Sequence, residues 1–141
     1  MPWALGDGFV LSGFPEVKHI DKYGWAAPTL GMITLCSKRP PAMMDPRVEW
    51  WSYLPIADGR ISNMPNVLHA RDTALSMRKH HNTVVIHCVA GRNRSGLIGA
   101  LILRELHQLT GPQALEMVRR LRPNSVDNPY FEEYLMGIGA P

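Results

Sequence analysis

The sequence predicts an α/β fold in one domain over residues 1–141. A central, mostly parallel sheet is flanked by helices, and an anion-binding loop lies between a central strand and a buried helix. Three observations carry this. "TVVIHC" (83–88) is a short β-branched run suited to the sheet interior. "SGLIGALILRELHQL" (95–109), just after it, has helical length and is apolar on most sides, as a central helix must be. Further segments of the two kinds alternate along the rest of the chain, and 141 residues with 45% hydrophobic content suffice for one core.

Taken in order, residues 8 to 36 read as short strands and turns, ending in the apolar run "GMITLC" (31–36). "KRPPAMMDP" (38–46) reads as a loop, because its prolines remove donors and restrict their neighbours. "VEWWSYLPI" (48–56) is aromatic and β-prone, a further strand, and "ADGR" marks a turn after it. A helix is expected from near Asn63, with Pro65 in its first turn and Val67, Leu68, Ala74 and Leu75 as its buried stripe. The strand at 83–88 and the helix at 95–109 follow, Gly99 letting that helix approach a neighbour closely. "GPQALEMVRRLR" (111–122) starts with Pro112 in its first turn and places Ala114, Met117, Val118 and Leu121 on one face. "NPYFEEYLM" (128–136) is a last short helix with Asn128 as its cap.

Composition narrows the function. No run of 18 apolar residues offers a membrane span, and "MPWALGDGFV" lacks the basic and apolar regions of a signal peptide. Two cysteines, Cys36 and Cys88, are too few for a disulfide scaffold and fit a reducing, cytoplasmic setting. The net charge of +3 is unevenly placed: residues 59 to 104 hold seven Lys/Arg and one acidic residue, Asp72. A basic middle suggests an anionic ligand. No cofactor is expected. His19, His69, His80, His81 and His107 show no metal spacing, so no metal is expected either. The four tryptophans read as packing, which leaves nucleic acid an unlikely partner.

The stretch "VVIHCVAGRNRSG" (84–96) carries the chemistry. A strand, a tight loop and a helix N-terminus together make an anion site, where loop N–H groups converge and the helix dipole adds positive potential. Val89, Ala90, Gly91, Arg92, Asn93 and Arg94 supply those N–H groups, Gly91 permits the curl, and Arg94 offers two parallel donors to phosphate oxygens. The same field favours a thiolate at Cys88; cysteines so placed have pKa values of roughly 3.5–7.5. Such a thiolate can attack phosphorus in line and form a thiophosphate. Ser95 can donate to the sulfur when it later leaves.

"HCVAGRNRSG" resembles the signature loop of the cysteine-dependent protein phosphatases, His-Cys-x5-Arg-Ser/Thr. In length the chain is similar to their compact dual-specificity branch, and the resemblance runs over roughly residues 8 to 137. It implies Cys88 as nucleophile, Arg94 as phosphate ligand and a supporting, loop-shaping His87. "WWSYLPIADG" is similar to the strand and loop that carry the general acid, which implies Asp58; Asp45, Glu49 and Asp72 are weaker candidates. The C-terminal helices resemble the family's Asn-x-x-Phe-x-x-x-Leu pattern at Asn128, Phe131 and Leu135, with Asn128 as a supporting residue. "TLCSKR" (34–39) resembles the segment that carries a resolving cysteine in phosphoinositide-phosphatase relatives, which makes Cys36 a candidate redox partner of Cys88 beside its reading as a small core residue.

The resemblance implies hydrolysis of phosphotyrosine and phosphoserine/threonine in phosphorylated protein substrates. Two alternatives within the superfamily stay open: a phosphoinositide phosphatase, for which Arg92 would meet a second phosphate, and an RNA 5′-triphosphatase, to which "GRNRSG" is similar. A third, a module that binds phosphoproteins without turnover, fits less well with Cys88, Arg94, Ser95 and Asp58 all present.

Overall fold

A computed structural model describes residues 2–26 and 28–141. Five strands, β1 (Trp3–Gly6), β2 (Phe9–Ser12), β3 (Leu30–Thr34), β4 (Val48–Tyr53) and β5 (Val84–His87), form one sheet in the order β1-β2-β5-β3-β4. β2, β5, β3 and β4 run parallel, and only the edge strand β1 is antiparallel. β5 lies at the centre with all four residues buried, as its unbroken β-branched run requires.

The two faces of the sheet follow the period-2 alternation of its strands. Phe9, Leu11, Ile33, Val84 and Ile86 face the larger core, shared with α2 (Met64–Arg78), α3 (Arg94–His107), α4 (Gly111–Leu121) and α5 (Pro129–Met136). Met32 and Val85 face a smaller core with Ile20 of α1 (Val17–Lys22), Trp25 and Ala42 of a 3-10 turn (Pro41–Met44). α3 is buried from Ser95 to Leu103. Its Gly99 lies so close to the sheet that a Cβ there would stand 2.9 Å from Leu5 and Leu11.

Three expectations need correction. The stretch 8–36 contains a helix, α1, closed by a reciprocal cap between Glu16 and His19; with Ile20 as its one buried residue it has no apolar period to read. On α2 the buried face is Val67, Ala70, Thr73, Ala74 and Met77, and Leu68 and Leu75 are half-buried. Small side chains let α2 settle onto Gly31 of β3, which touches Met77, so contact follows size as much as hydrophobicity. On α4, Leu115 is buried and Leu121 is 45% exposed, because the inner face is centred on Gly111, Ala114 and Val118. The Asn63, Thr110 and Asn128 side chains accept from their helices' first free N–H groups.

Candidate active site

β5 ends at His87, and Cys88 opens the loop that leads into α3. The loop curls over the segment after β2: Cys88 N–H donates to the Ser12 carbonyl at 3.3 Å and Phe14 N–H to the Val89 carbonyl at 3.2 Å. Gly91 makes the curl possible. Its φ is +71°, and a Cβ there would come within 2.6 Å of Gly13 N and Ser12 C. Cys88 is 2% exposed and unpaired. Its Sγ accepts from Gly91 N–H at 3.2 Å and lies 3.5 Å from Ser95 Oγ; Ser95 is fully buried.

Arg122, just past α4, is a contributor that the sequence did not reveal. Its guanidinium lies over the Trp3 ring, 3.1 Å from the centroid, and donates to the Ala90 carbonyl at 3.3 Å and to that of Gly91. Ala90 C=O and Gly91 N–H belong to one trans peptide and point opposite ways. Holding the carbonyl outward therefore aims the N–H inward at Cys88 Sγ. Burial, with Arg92 adding to it, lowers the Arg122 pKa, and Cys88 opposes that shift. Nothing in "VRRLRP" separates this arginine from its neighbours.

Arg94 starts α3. Its Nη1 donates to the Ile56 carbonyl at 3.4 Å, and its buried Nε has no hydrogen-bond partner. The Nε–Nη2 edge is the one suited to paired donation to a phosphate. Arg92, offered above as a contact for a second phosphate, makes contacts within the chain. Its guanidinium donates to Asp127 Oδ2 at 2.7 Å and to the Asn124 carbonyl at 3.4 Å, so it ties the loop to the α4–α5 connection.

Asp58 lies exposed on the turn after β4, in the loop whose Ile56 receives Arg94. Its two oxygens are held by two amides, Oδ1 by Asn128 Nδ2 at 2.9 Å and Oδ2 by Asn93 Nδ2 at 3.3 Å. Asn93 Oδ1 accepts from the backbone N–H groups of Asp127 and Asn128 at 2.9 and 3.1 Å. Asn93 stands at the N-cap of α3, where an asparagine would ordinarily bond its own helix, yet it makes no such bond; its amide is diverted to join three segments. The weaker acid candidates lie in other contacts. Arg47 bonds to Asp45 and holds its carboxyl down at about 2, Glu49 faces His81, and Asp72 pairs with Arg71.

His87 is fully buried, and burial, with Arg94 adding to it, pushes its pKa down to about 4 against a hydrogen bond to the Cys88 backbone. It is therefore a neutral ring at ordinary pH, in keeping with a supporting role. Cys36 is buried and unpaired, its thiol donating to the Lys38 carbonyl at 3.4 Å. Of the other histidines, His19 caps α1 and packs on Tyr23, His80 packs on Trp50, His81 bonds Thr29 and faces Glu49, and His107 faces Asp7. Among the described residues no group of three His, Cys, Asp or Glu is placed to hold a metal, and no helix is long and apolar enough to cross a membrane.

Solved structures resemble this fold over nearly the whole chain. Tk-PTP in its active form superposes with a TM-score of 0.78 at 22% identity, covering 96% of this chain and 93% of its own. PTPMT1 in complex with PI(5)P gives 0.76 at 18% identity, covering 95% and 91%. DUSP15 gives 0.79 at 20% identity, covering 95% and 84%. No family model and no curated protein matches the chain. The chain has the fold of these solved structures.

Proposed function

We propose that this protein is a phosphatase that hydrolyses phosphate monoesters in phosphorylated proteins, on tyrosine and on serine or threonine, through a cysteinyl-phosphate intermediate. One observation carries the reading: Cys88 Sγ sits under the Gly91 N–H and beside Ser95 Oγ, in the loop that leads to Arg94 with its unpartnered, buried Nε.

In this reading the phosphate rests on the loop N–H groups and on the Nε–Nη2 edge of Arg94. The Cys88 thiolate attacks phosphorus in line, the S–P bond forms, and the P–O bond to the leaving group breaks. Its electron pair stays on the departing oxygen, which takes a proton from Asp58. Asp58, now a carboxylate, then removes a proton from water as that water attacks phosphorus. The S–P bond breaks, and the Ser95 hydroxyl donates to the returning thiolate. Without Arg94 the loop would lose the preorganised, paired donor edge that helps to make such displacement fast. The likeness in fold to Tk-PTP and DUSP15 supports a phosphatase, and two unpaired cysteines are in keeping with a reducing, cytoplasmic setting.

The test is turnover of four substrates by the purified protein: a phosphotyrosine peptide, a phosphothreonine peptide, a phosphoinositide and a 5′-triphosphorylated RNA. The proposal expects both peptides to be the best substrates by kcat/KM. Faster turnover of the lipid or the RNA would transfer the same chemistry to that substrate, and no turnover of any would overturn it.

A further inference from the structure

Four carbonyl groups of the Cys88–Arg94 loop are held outward by donors from other segments. Phe14 N–H serves Val89, the Arg122 guanidinium serves Ala90 and Gly91, and Val126 N–H serves Arg92 at 3.2 Å. In each trans peptide the following N–H points the opposite way. These donors therefore turn the N–H groups of Ala90, Gly91, Arg92 and Asn93 toward the inside of the curl. The last of the four depends on Val126, in the connection between α4 and α5.

Val126 holds a conformation that its own side chain opposes. Its φ is +58°, in the left-handed region that a β-branched residue avoids. It is fully buried, so the surrounding structure must keep it there. The group that does so is Arg119 of α4. Its Nε donates to the Ser125 carbonyl at 3.0 Å and its Nη2 to the Val126 carbonyl at 2.7 Å, and Nη2 also pairs with Glu132 of α5. The two carbonyls flank the Val126 Cα, so one rigid guanidinium fixes both of its backbone dihedrals. The kink has an effect on the residues after it. Three successive N–H groups, those of Val126, Asp127 and Asn128, all reach the same loop: the first bonds the Arg92 carbonyl, and the other two bond Asn93 Oδ1 at 2.9 and 3.1 Å. A left-handed residue is what brings successive N–H groups to one side of a chain.

We propose that Arg119 and Val126 are positioning residues for this loop: Arg119 clamps Val126 in its left-handed conformation, and the clamped segment fixes the Arg92–Asn93 peptide with its N–H facing a bound phosphate. This rests on the reading of the loop as a phosphate site. Both residues act through the backbone. Without the clamp, Val126 is free to relax toward negative φ, its N–H swings off the Arg92 carbonyl, and the Asn93 N–H loses its aim.

Isothermal titration with inorganic phosphate, which needs no turnover, reads the affinity. The Asn93 amide in ¹H–¹⁵N spectra reads its own bond to the ligand, and in the wild type its proton should move downfield on saturation with phosphate. Arg119→Met should weaken phosphate binding about tenfold, the order of one hydrogen bond, and shrink the Asn93 shift. Val126→Gly keeps the N–H and enters the left-handed region freely, so it should make the clamp dispensable. Adding Arg119→Met to Val126→Gly should then cost at most about threefold, a non-additivity that a general loss of packing would not produce. Should Arg119→Met show no cooperative thermal transition, Arg119→Lys carries the same comparison, because it keeps the pair with Glu132 but not the grip on two carbonyls. Three results would each overturn the proposal: unchanged affinity on substitution of Arg119, an equal loss in the two backgrounds, or a wild-type Asn93 amide that does not respond to phosphate. A wild type that binds phosphate through Asn93, shows the non-additivity and hydrolyses no phosphate ester would keep the positioning role and sink the phosphatase reading alone.

Discussion

The Asn128 side chain holds Asp58 and caps a helix at once: its Nδ2 donates to Asp58 Oδ1 at 2.9 Å, and its Oδ1 accepts from Tyr130 N–H at 2.9 Å and Phe131 N–H at 3.3 Å. The position of the candidate acid is thereby coupled to the start of α5. Asn128→Ala should cost about 1 kcal/mol of stability through the lost cap. It should also slow esters with poor leaving groups more than those with good ones, because only the former depend on a well-placed proton. Asp58→Asn should lose roughly 10²–10⁴-fold on poor leaving groups and flatten the alkaline limb of the kcat/KM profile. An unchanged rate and profile in Asp58→Asn would send the search for the acid elsewhere.

Cys88→Ser should abolish hydrolysis while leaving the loop able to bind a phosphopeptide, since a serine hydroxyl does not ionise there and the N–H groups of the loop remain. Arg94→Lys should be severely impaired too, because an ammonium cannot reproduce the paired donation of a guanidinium edge. Isothermal titration with phosphopeptide, beside steady-state rates, separates binding from turnover. Substantial turnover by Cys88→Ser would remove Cys88 as the nucleophile.

Arg122→Met should release the Ala90–Gly91 peptide and weaken the aim of Gly91 N–H at Cys88 Sγ, while keeping a long apolar stem on Trp3. Hydrogen bonds to a charged donor are worth roughly 1.5–3 kcal/mol. The expected result is a loss of roughly tenfold or more in phosphate affinity with little change in melting temperature. Full affinity in the variant would reduce Arg122 to a surface cation.

The buried His87 makes stability depend on pH in a stated direction. Its folded pKa is about 4 against 6.5 for the free side chain, so the unfolded chain binds the extra proton between those values. Stability therefore rises with pH through this window and is lost as pH falls through it. From pH 7.5 to pH 5 the loss is roughly 2 kcal/mol from this one group. Urea denaturation at the two pH values, for the wild type and for His87→Asn, measures the difference. An equal slope in both would mean that His87 accepts its proton in the fold.

If Cys88 is the nucleophile proposed above, peroxide should inactivate the protein reversibly through it: the thiolate takes oxygen to give a sulfenic acid and water. If the Cys36 thiol can reach it, a disulfide forms with loss of a second water, and thiol reductant restores activity. The requirement is a Cα separation of roughly 4.4–6.8 Å; β3 and β5 run side by side up to Thr34 and His87, two residues before Cys36 and one before Cys88. Mass spectrometry of treated protein should find the Cys36–Cys88 peptide. Its absence, with equal recovery by Cys36→Ser, would leave Cys36 as a core residue.

The α/β class, the central strand at 83–88, the buried helix after it and the loop between them were legible because each rests on local physics. A β-branched run, a long apolar helix and a glycine that permits positive φ all lie within a few residues of one another, and Cys88, Gly91, Arg94 and Ser95 lie within that span. Asn128 was legible as a cap for the same reason. Tertiary structure alone decided the rest. The diversion of Asn93 from its own helix to Asp58, the turn of Arg92 toward Asp127 and the grip of Arg122 on the loop carbonyls join residues 31 to 35 positions apart. Such contacts depend on which strands become neighbours and which helix ends meet, and a linear pattern of polarity carries no record of that.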